Sequence, residues 1–414
     1  MANNKDKKIL NVPALRFPEF TEEWMIQTIN DLATVIGGGT PDTTIKSYWD
    51  GNIQWFTPSE IGKSKYVNLS SRTITEEGLN NSSAKLLPSY TILLSSRATV
   101  GECSITLQEC ATNQGFQSLI AKNCDIDFLY YLIQTKKKDL IRKACGSTFL
   151  EISATEVRKI RTKVPSNAEQ KKIGALLSLV DKRIEVQNKI IEDLKKLKSA
   201  IVEALFCAPK ESMPAKRLSP YSKEWKLVKL SDICQRIQTK NIDRQCRQVL
   251  TIAAQYGLVN QEDFFNKTIA SENLEGYYLL QKGDFAYNKS YSGDYAWGAI
   301  KRLERYEQGV LSPLYICFHP DTAKVDADYL AHYFESKKWH KGIADIAGEG
   351  ARNHGLLNIS VIDFFNTIHR IPDLDEQKNI AQILNSLSSK LSSEQRIMQS
   401  LTMQRNYLLN KMFI

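Results

Sequence analysis

A chain of 414 residues has room for two to four domains of roughly 100–200 residues each, and its 42% hydrophobic and 24% charged residues suit ordinary folded cores rather than a disordered or fibrous chain. The formal charge of +9, from 55 basic against 46 acidic residues, favours a polyanionic partner. No apolar run approaches the ~18 residues of a membrane span, no apolar stretch follows the lysine-rich start as a secretory leader requires, and eight scattered cysteines without a C-x-x-C pair speak for reduced thiols in the cytoplasm rather than zinc sites or a disulfide framework.

Taken from the start, Phe20-Thr21-Glu22-Glu23-Trp24 opens a region of short elements and polar loops. Loops are predicted at Ile36-Gly37-Gly38-Gly39-Thr40-Pro41 and over 46–55. Further loops follow at Ser95-Ser96-Arg97-Ala98-Thr99-Val100-Gly101 and Thr112-Asn113-Gln114-Gly115. β-like runs are predicted at 92–94 and 117–120, and a helix over 127–143. Pro165 sets a boundary, because the residue before a proline disfavours helix. Ser166 or Asn167 then starts a helix whose first turn carries Glu169.

A seam in that helix keeps a 4-3 spacing, apolar at eight of its ten positions: Ile173, Leu177, Val180, Ile184, Gln187, Ile191, Leu194, Lys198, Ile201, Leu205. Such a seam predicts a coiled-coil partner. A linker over 207–220 with Pro209, Pro214 and Pro220 follows, then a second loop-rich region. Strands are predicted there at 285–287 and 314–318, and a helix over 328–341. Its loops carry Gln238-Thr239-Lys240-Asn241, Arg244, Arg247, Asn288-Lys289-Ser290-Tyr291-Ser292-Gly293 and Gly350-Ala351-Arg352-Asn353-His354-Gly355. Beyond Pro372, Asp373 or Asp375 starts a second helix, with the seam Ile380, Leu384, Leu387, Leu391, Glu394, Met398, Leu401, Arg405, Leu408, Met412.

The two halves repeat. Tyr221-Ser222-Lys223-Glu224-Trp225 restates the opening at an offset of 225 − 24 = 201, and Leu357-Asn358-Ile359-Ser360 restates Leu150-Glu151-Ile152-Ser153 at 207. Glu376-Gln377-Lys378 restates Glu169-Gln170-Lys171 at the same 207, and both polar interruptions of the seam coincide. The organisation predicted is α+β: a globular domain over 1–164, a long helix over 165–206, a second globular domain over 207–371, and a second long helix over 372–414. The two helices should pair antiparallel about a pseudo-twofold axis, with Gln187 and Glu394 near the crossing, either in a polar contact that fixes register or as two partly solvated side chains. Each should run ~40 residues, or about 60 Å. Intermolecular pairing into a homodimer is the alternative.

The frameworks match while the loops diverge. Arg and Lys suit guanine O6 and N7, Asn and Gln suit adenine, and glycines let backbone approach phosphates closely. Catalytic motifs are missing. Gly62-Lys63-Ser64 has Thr57 where a phosphate-binding loop needs glycine, there is no Pro-Pro dipeptide of the amino-methyltransferase kind, and Pro372-Asp373…Glu376-Gln377-Lys378 sits at a helix start rather than on two strands. The five histidines lack H-x-x-x-H spacing. Neither a catalytic nor a metal residue is expected.

The whole chain resembles the DNA specificity subunit of type I restriction-modification systems. The resemblance rests on Gly38-Gly39-Thr40-Pro41, Tyr48-Trp49-Asp50-Gly51-Asn52-Ile53, Ser95–Gly101, Asn113-Gln114-Gly115-Phe116, Gly309-Val310-Leu311-Ser312-Pro313 and the two Pro-to-Glu-Gln-Lys helix entries. It implies two target-recognition domains, each reading half of a split, asymmetric site on double-stranded DNA. It implies a helix pair that sets the gap and docks two modification (methyltransferase) subunits, joined by two restriction (motor and nuclease) subunits. S-adenosylmethionine, ATP and magnesium would belong to those partners and none to this chain. DNA contacts are expected from Gly39, Thr40, Lys63, Lys65, Arg97, Thr99, Asn113 and Gln114 in the first domain. In the second they are expected from Arg244, Arg247, Lys289, Tyr291, Arg352 and His354. A self-contained restriction enzyme or a coiled-coil scaffold unrelated to DNA are the competing readings.

Overall fold

The computed structural model describes residues 11–146, 150–253, 256–265, 274–290, 295–347 and 355–414. The chain forms two compact units, one of residues 1–189 with 396–414, the other of residues 190–395. Two helices of 39 residues each, Asn167–Leu205 and Leu374–Met412, are divided between them. Each unit therefore holds the start of one long helix and the end of the other.

The first unit's globular part has a five-stranded sheet, ordered Ala33–Gly37, Gln117–Ala121, Ile92–Leu94, Cys103–Thr106, Tyr66–Val67. A three-stranded sheet of Arg72–Ile74, Trp49–Phe56 and Cys110–Thr112 joins it. A separate antiparallel pair, Met25–Thr28 with Arg161–Val164, closes the domain's two ends together just before the long helix. The second unit repeats that closure with Lys226–Lys229 and Ile368–Ile371. It also repeats four strands of the large sheet, as Cys234–Arg236, Ile316–Pro320, Phe285–Asn288 and Ala299–Arg302. In place of the three-stranded sheet it has two antiparallel pairs, Leu250–Ala253 with Gly257–Asn260 and Tyr278–Gln281 with Gln308–Leu311. The inner framework is thus common to both units and the outer elements are not.

Each domain core is completed by the end of a long helix. In the first unit, Trp24, Phe128, Ile173 and Leu177 share a core with Met412 and Phe413. In the second, Val202, Leu205 and Phe206 share one with Trp225, Tyr329, Ile380 and Leu384. As one helix segment advances the other recedes, so the helix segments in each unit run antiparallel. All twenty predicted seam positions are buried or half-buried, Gln187 and Glu394 among them. Lys390 pairs with Glu394 at 2.6 Å along its own helix.

The helix entries explain the repeated Glu-Gln. Glu169, 1% exposed at its side chain, accepts two 2.8 Å hydrogen bonds from the Arg16 guanidinium. Glu376 accepts the same fork from Arg217, at 3.0 and 2.8 Å. Gln170 donates to the Pro165 carbonyl and accepts from the Asp125 amide, both at 3.0 Å. Gln377 does likewise with Pro372 and Asp326, at 2.9 and 2.8 Å. Buried polar groups with this many partners fix the direction in which the helix leaves the domain.

The cationic interruptions of the seam also have partners. Arg405 pairs with Asp181 and donates to Gln134 at 2.8 Å, while Lys198 pairs with Glu335 at 2.8 Å. Burial opposes ionisation of Glu335, yet His332, Lys198 and Lys301 outweigh it and hold its pKa at about 2.

Four predicted elements differ. The loop over 46–55 is instead a short helical turn, Lys46–Tyr48, followed by the strand Trp49–Phe56, which pairs with Arg72–Ile74 and Cys110–Thr112 and buries Trp49, Trp55 and Phe56. The helix over 127–143 is two, Ile126–Thr135 and Lys137–Lys143, with Lys136 between them. The helix over 328–341 stops at Tyr333 and resumes at His340, because the chain turns to bury Trp339, whose indole donates to Phe334 O at 3.1 Å. The strand over 314–318 begins at Ile316, since Ser312 O accepts the Tyr315 amide in a turn around Pro313-Leu314. All eight cysteines are free thiols. Among the described residues no helix is long and apolar enough to cross a membrane.

Candidate nucleic-acid interface

In the first unit, the loops singled out in the sequence converge. Gly39 N donates to Thr112 O at 2.8 Å, Ser96 N to Gly115 O at 2.8 Å, and Asn113 N to Phe56 O at 3.1 Å. A Cβ added to Gly38 would lie 2.0 Å from the Asn113 carbonyl, so only glycine lets the 37–42 and 112–115 loops pack. Two tryptophans hold the first loop from beneath: Trp55 Nε1 donates to Gly39 O and Trp49 Nε1 to Asp42 O, each at 3.0 Å. Thr40 donates to Gln114 across the two loops, and Asn113 Oδ1 accepts the Gly115 amide at 2.9 Å.

The 95–101 loop completes the cluster. Its Ala98 has φ 61° and Gly101 φ 87°. Ser95 and Thr99 hydroxyls meet at 3.0 Å. Arg97 pairs with Glu151 through Nε and Nη2 at 3.0 and 2.6 Å, with both side chains well exposed. Such an exposed pair is worth little, so a phosphate or base edge competes readily for the guanidinium. Thr40, Arg97, Thr99, Asn113 and Gln114 are therefore brought together, and Lys63 stands exposed on a neighbouring turn.

Two expected residues are tied into the architecture. Gly39 is buried and acts as a packed turn. Lys65, only 8% exposed at its side chain, pairs with Asp127 at 2.6 Å, donates to Ser178 on the long helix and lies 4.7 Å from the Tyr131 ring centre. Its charge is consumed in joining domain to helix.

In the second unit, Asn241 organises the basic loop. Its buried amide donates to Cys246 O at 2.8 Å and accepts Cys246 N at 2.9 Å. Between them, Asp243 and Arg244 adopt φ 59° and 53°, conformations non-glycine residues seldom take. Arg244 and Arg247 are exposed, and Glu275 lies 3.7 Å from Arg244. Lys289 follows the strand Phe285–Asn288, and its carbonyl accepts Leu357 N at 2.9 Å. Tyr291, Arg352 and His354 lie outside the described residues. Asn241 and the two tryptophans were visible in the sequence only as loop residues, because their role is to hold backbone from below. Among the described residues no group of three or more His, Cys, Asp or Glu is placed to hold a metal.

Residues 21–196 match the type I restriction modification DNA specificity domain. The type I restriction enzyme MjaIX specificity subunit of Methanocaldococcus jannaschii is 38% identical over 181 residues, 42% of each chain. The EcoR124I/EcoR124II specificity subunit of Escherichia coli is 29% identical over 188 residues, 44% of this chain and 45% of that one. This chain thus matches less than half the length of these relatives. The MjaVIII specificity subunit of M. jannaschii aligns over 98% of this chain and 95% of its own at 21% identity. The fold is shared with the S subunit of a type I restriction-modification system from M. genitalium, with a TM-score of 0.58 at 17% identity over 97% of this chain and 99% of that one.

Proposed function

This chain is a relative of the type I restriction enzyme specificity subunits, and on that premise we propose that it reads a two-part DNA sequence for a methyltransferase and endonuclease whose catalytic centres lie on other subunits. The observation that carries the reading is one framework used twice under unlike loop clusters. A common frame presents each cluster in the same way, and different side chains then read different bases, which makes the target asymmetric. Thr40, Lys63, Arg97, Thr99, Asn113 and Gln114 face the first half-site, and Arg244, Arg247 and Lys289 the second. The net charge of +9 supports phosphate attraction.

The long helices set the unread gap and dock two modification subunits, to which two restriction subunits add. S-adenosylmethionine, ATP and magnesium are held by those partners, and the assembly works in the cytoplasm. The purified chain is expected to neither methylate nor cut DNA, and to confer sequence-specific adenine methylation on an added modification subunit. Binding should fall steeply with salt as counterions are released. Methylation or cleavage by the chain alone overturns the reading.

A further inference from the structure

The outer sheet of the first unit carries an arginine that the loop reading passed over. Arg72 lies on the strand Arg72–Ile74, and its guanidinium carbon sits 3.5 Å from the centre of the Trp49 ring and 5.9 Å from that of Trp55. The two indoles meet edge-to-face at 5.1 Å and are themselves 7% and 4% exposed. They are the pair whose N–H groups hold Gly39 O and Asp42 O. Arg72 is exposed, and among the described residues its guanidinium has neither a hydrogen-bond nor an ion-pair partner. One rigid aromatic plate therefore carries the 37–42 loop and a planar cation with unspent donors.

We infer that Arg72 is a specificity-determining residue of the first domain, presenting its guanidinium fork to the O6 and N7 of a guanine in the first half-site. The inference rests on the DNA-reading function proposed above. Stacking on Trp49 restricts the plane of the guanidinium. Orientation matters little for a phosphate, which accepts from many directions, but decides whether two parallel N–H groups meet two acceptors on a base edge. A solvated arginine would lose rotamer freedom on binding, and this one has already lost much of it.

The test uses the full chain with its modification subunit and a duplex bearing the site mapped from methylated adenines. A set of duplexes changes each base pair of the first half-site in turn, with a scrambled duplex as reference, and binding is followed by fluorescence anisotropy. Arg72→Met should weaken the cognate duplex about 10- to 100-fold, leave the scrambled duplex nearly unchanged, and abolish discrimination at one G·C pair. Arg72→Lys keeps the charge and should lose the same discrimination. It carries the test if Arg72→Met lowers the melting temperature. Wild-type discrimination at every pair in both variants overturns the proposal, and so does an equal loss on all duplexes, the mark of a phosphate contact. If the wild-type assembly itself fails to separate site from scrambled DNA, the DNA-reading function falls rather than the role of Arg72.

Discussion

The Phe413 ring, at the end of the second long helix, stacks on that of Phe128 in the first domain, with centroids 5.3 Å apart and planes 26° apart. Phe206, 207 residues earlier (413 − 207 = 206), packs edge-on against Tyr329 at 5.2 Å in the second. Both domains are closed by a side chain that the other half of the sequence supplies.

Phe413→Ala should cost about 3–5 kcal/mol, the usual loss for a buried aromatic that leaves a cavity. The loss should fall on the first unit. Hydrogen exchange resolved by peptide is expected to show faster exchange over 126–135 and unchanged protection over 327–333. Phe206→Ala should give the reverse pattern.

Arg16→Ala strips the partner from a carboxylate buried among core residues. Breaking such a pair from one side costs about 3–5 kcal/mol, because the remaining charge stays desolvated. Replacing both partners, as Arg16→Met with Glu169→Leu, should cost clearly less. The same ordering is expected for Arg217 and Glu376, with urea unfolding as the measurement.

His369 gives the second unit an acid sensitivity. Tyr333 OH and Thr367 Oγ1 lie 3.0 and 2.8 Å from its two ring nitrogens, and burial lowers its pKa from the usual 6.5 to about 4. The unfolded chain takes up a proton below pH 6.5 that the folded chain refuses until about pH 4. Stability is therefore unaffected by this group above pH 6.5 and falls through that window. The linkage relation gives a loss of about 2 kcal/mol at pH 5. His369→Gln should flatten this part of the slope between pH 7.5 and 5, whatever its effect on stability at pH 7.5.

Of the eight thiols, six are buried, Cys124 is half-buried and only Cys145 is exposed. A colorimetric thiol reagent should titrate one cysteine quickly in the native protein and the rest only on unfolding. Cys145→Ser should remove the fast phase, and rapid reaction of several thiols would contradict the described packing.

The long helices were legible because a 4-3 repeat is a local signal, and the duplication made it legible twice. The Glu-Gln entries were legible as repeats, but their partners were not: Arg16 lies 153 residues from Glu169. The partners of Lys65 were hidden for the same reason, since a lysine in a polar loop looks free until Asp127 and Ser178 are folded against it. The helix over 328–341 failed because continuous apolar spacing hid a turn whose purpose is to sink Trp339. Arg72 looked like an ordinary strand residue until the fold set Trp49 beneath it.

The exchange of helix ends also governs how the molecule comes into being on the ribosome. The second domain finds Phe206 already synthesised when its own strands emerge. The first must wait, its core open, until Met412 and Phe413 are translated. Maturation therefore runs against the order of synthesis, and a chain that stops short of Met412 has a leading domain whose core is unfinished and open to proteolysis.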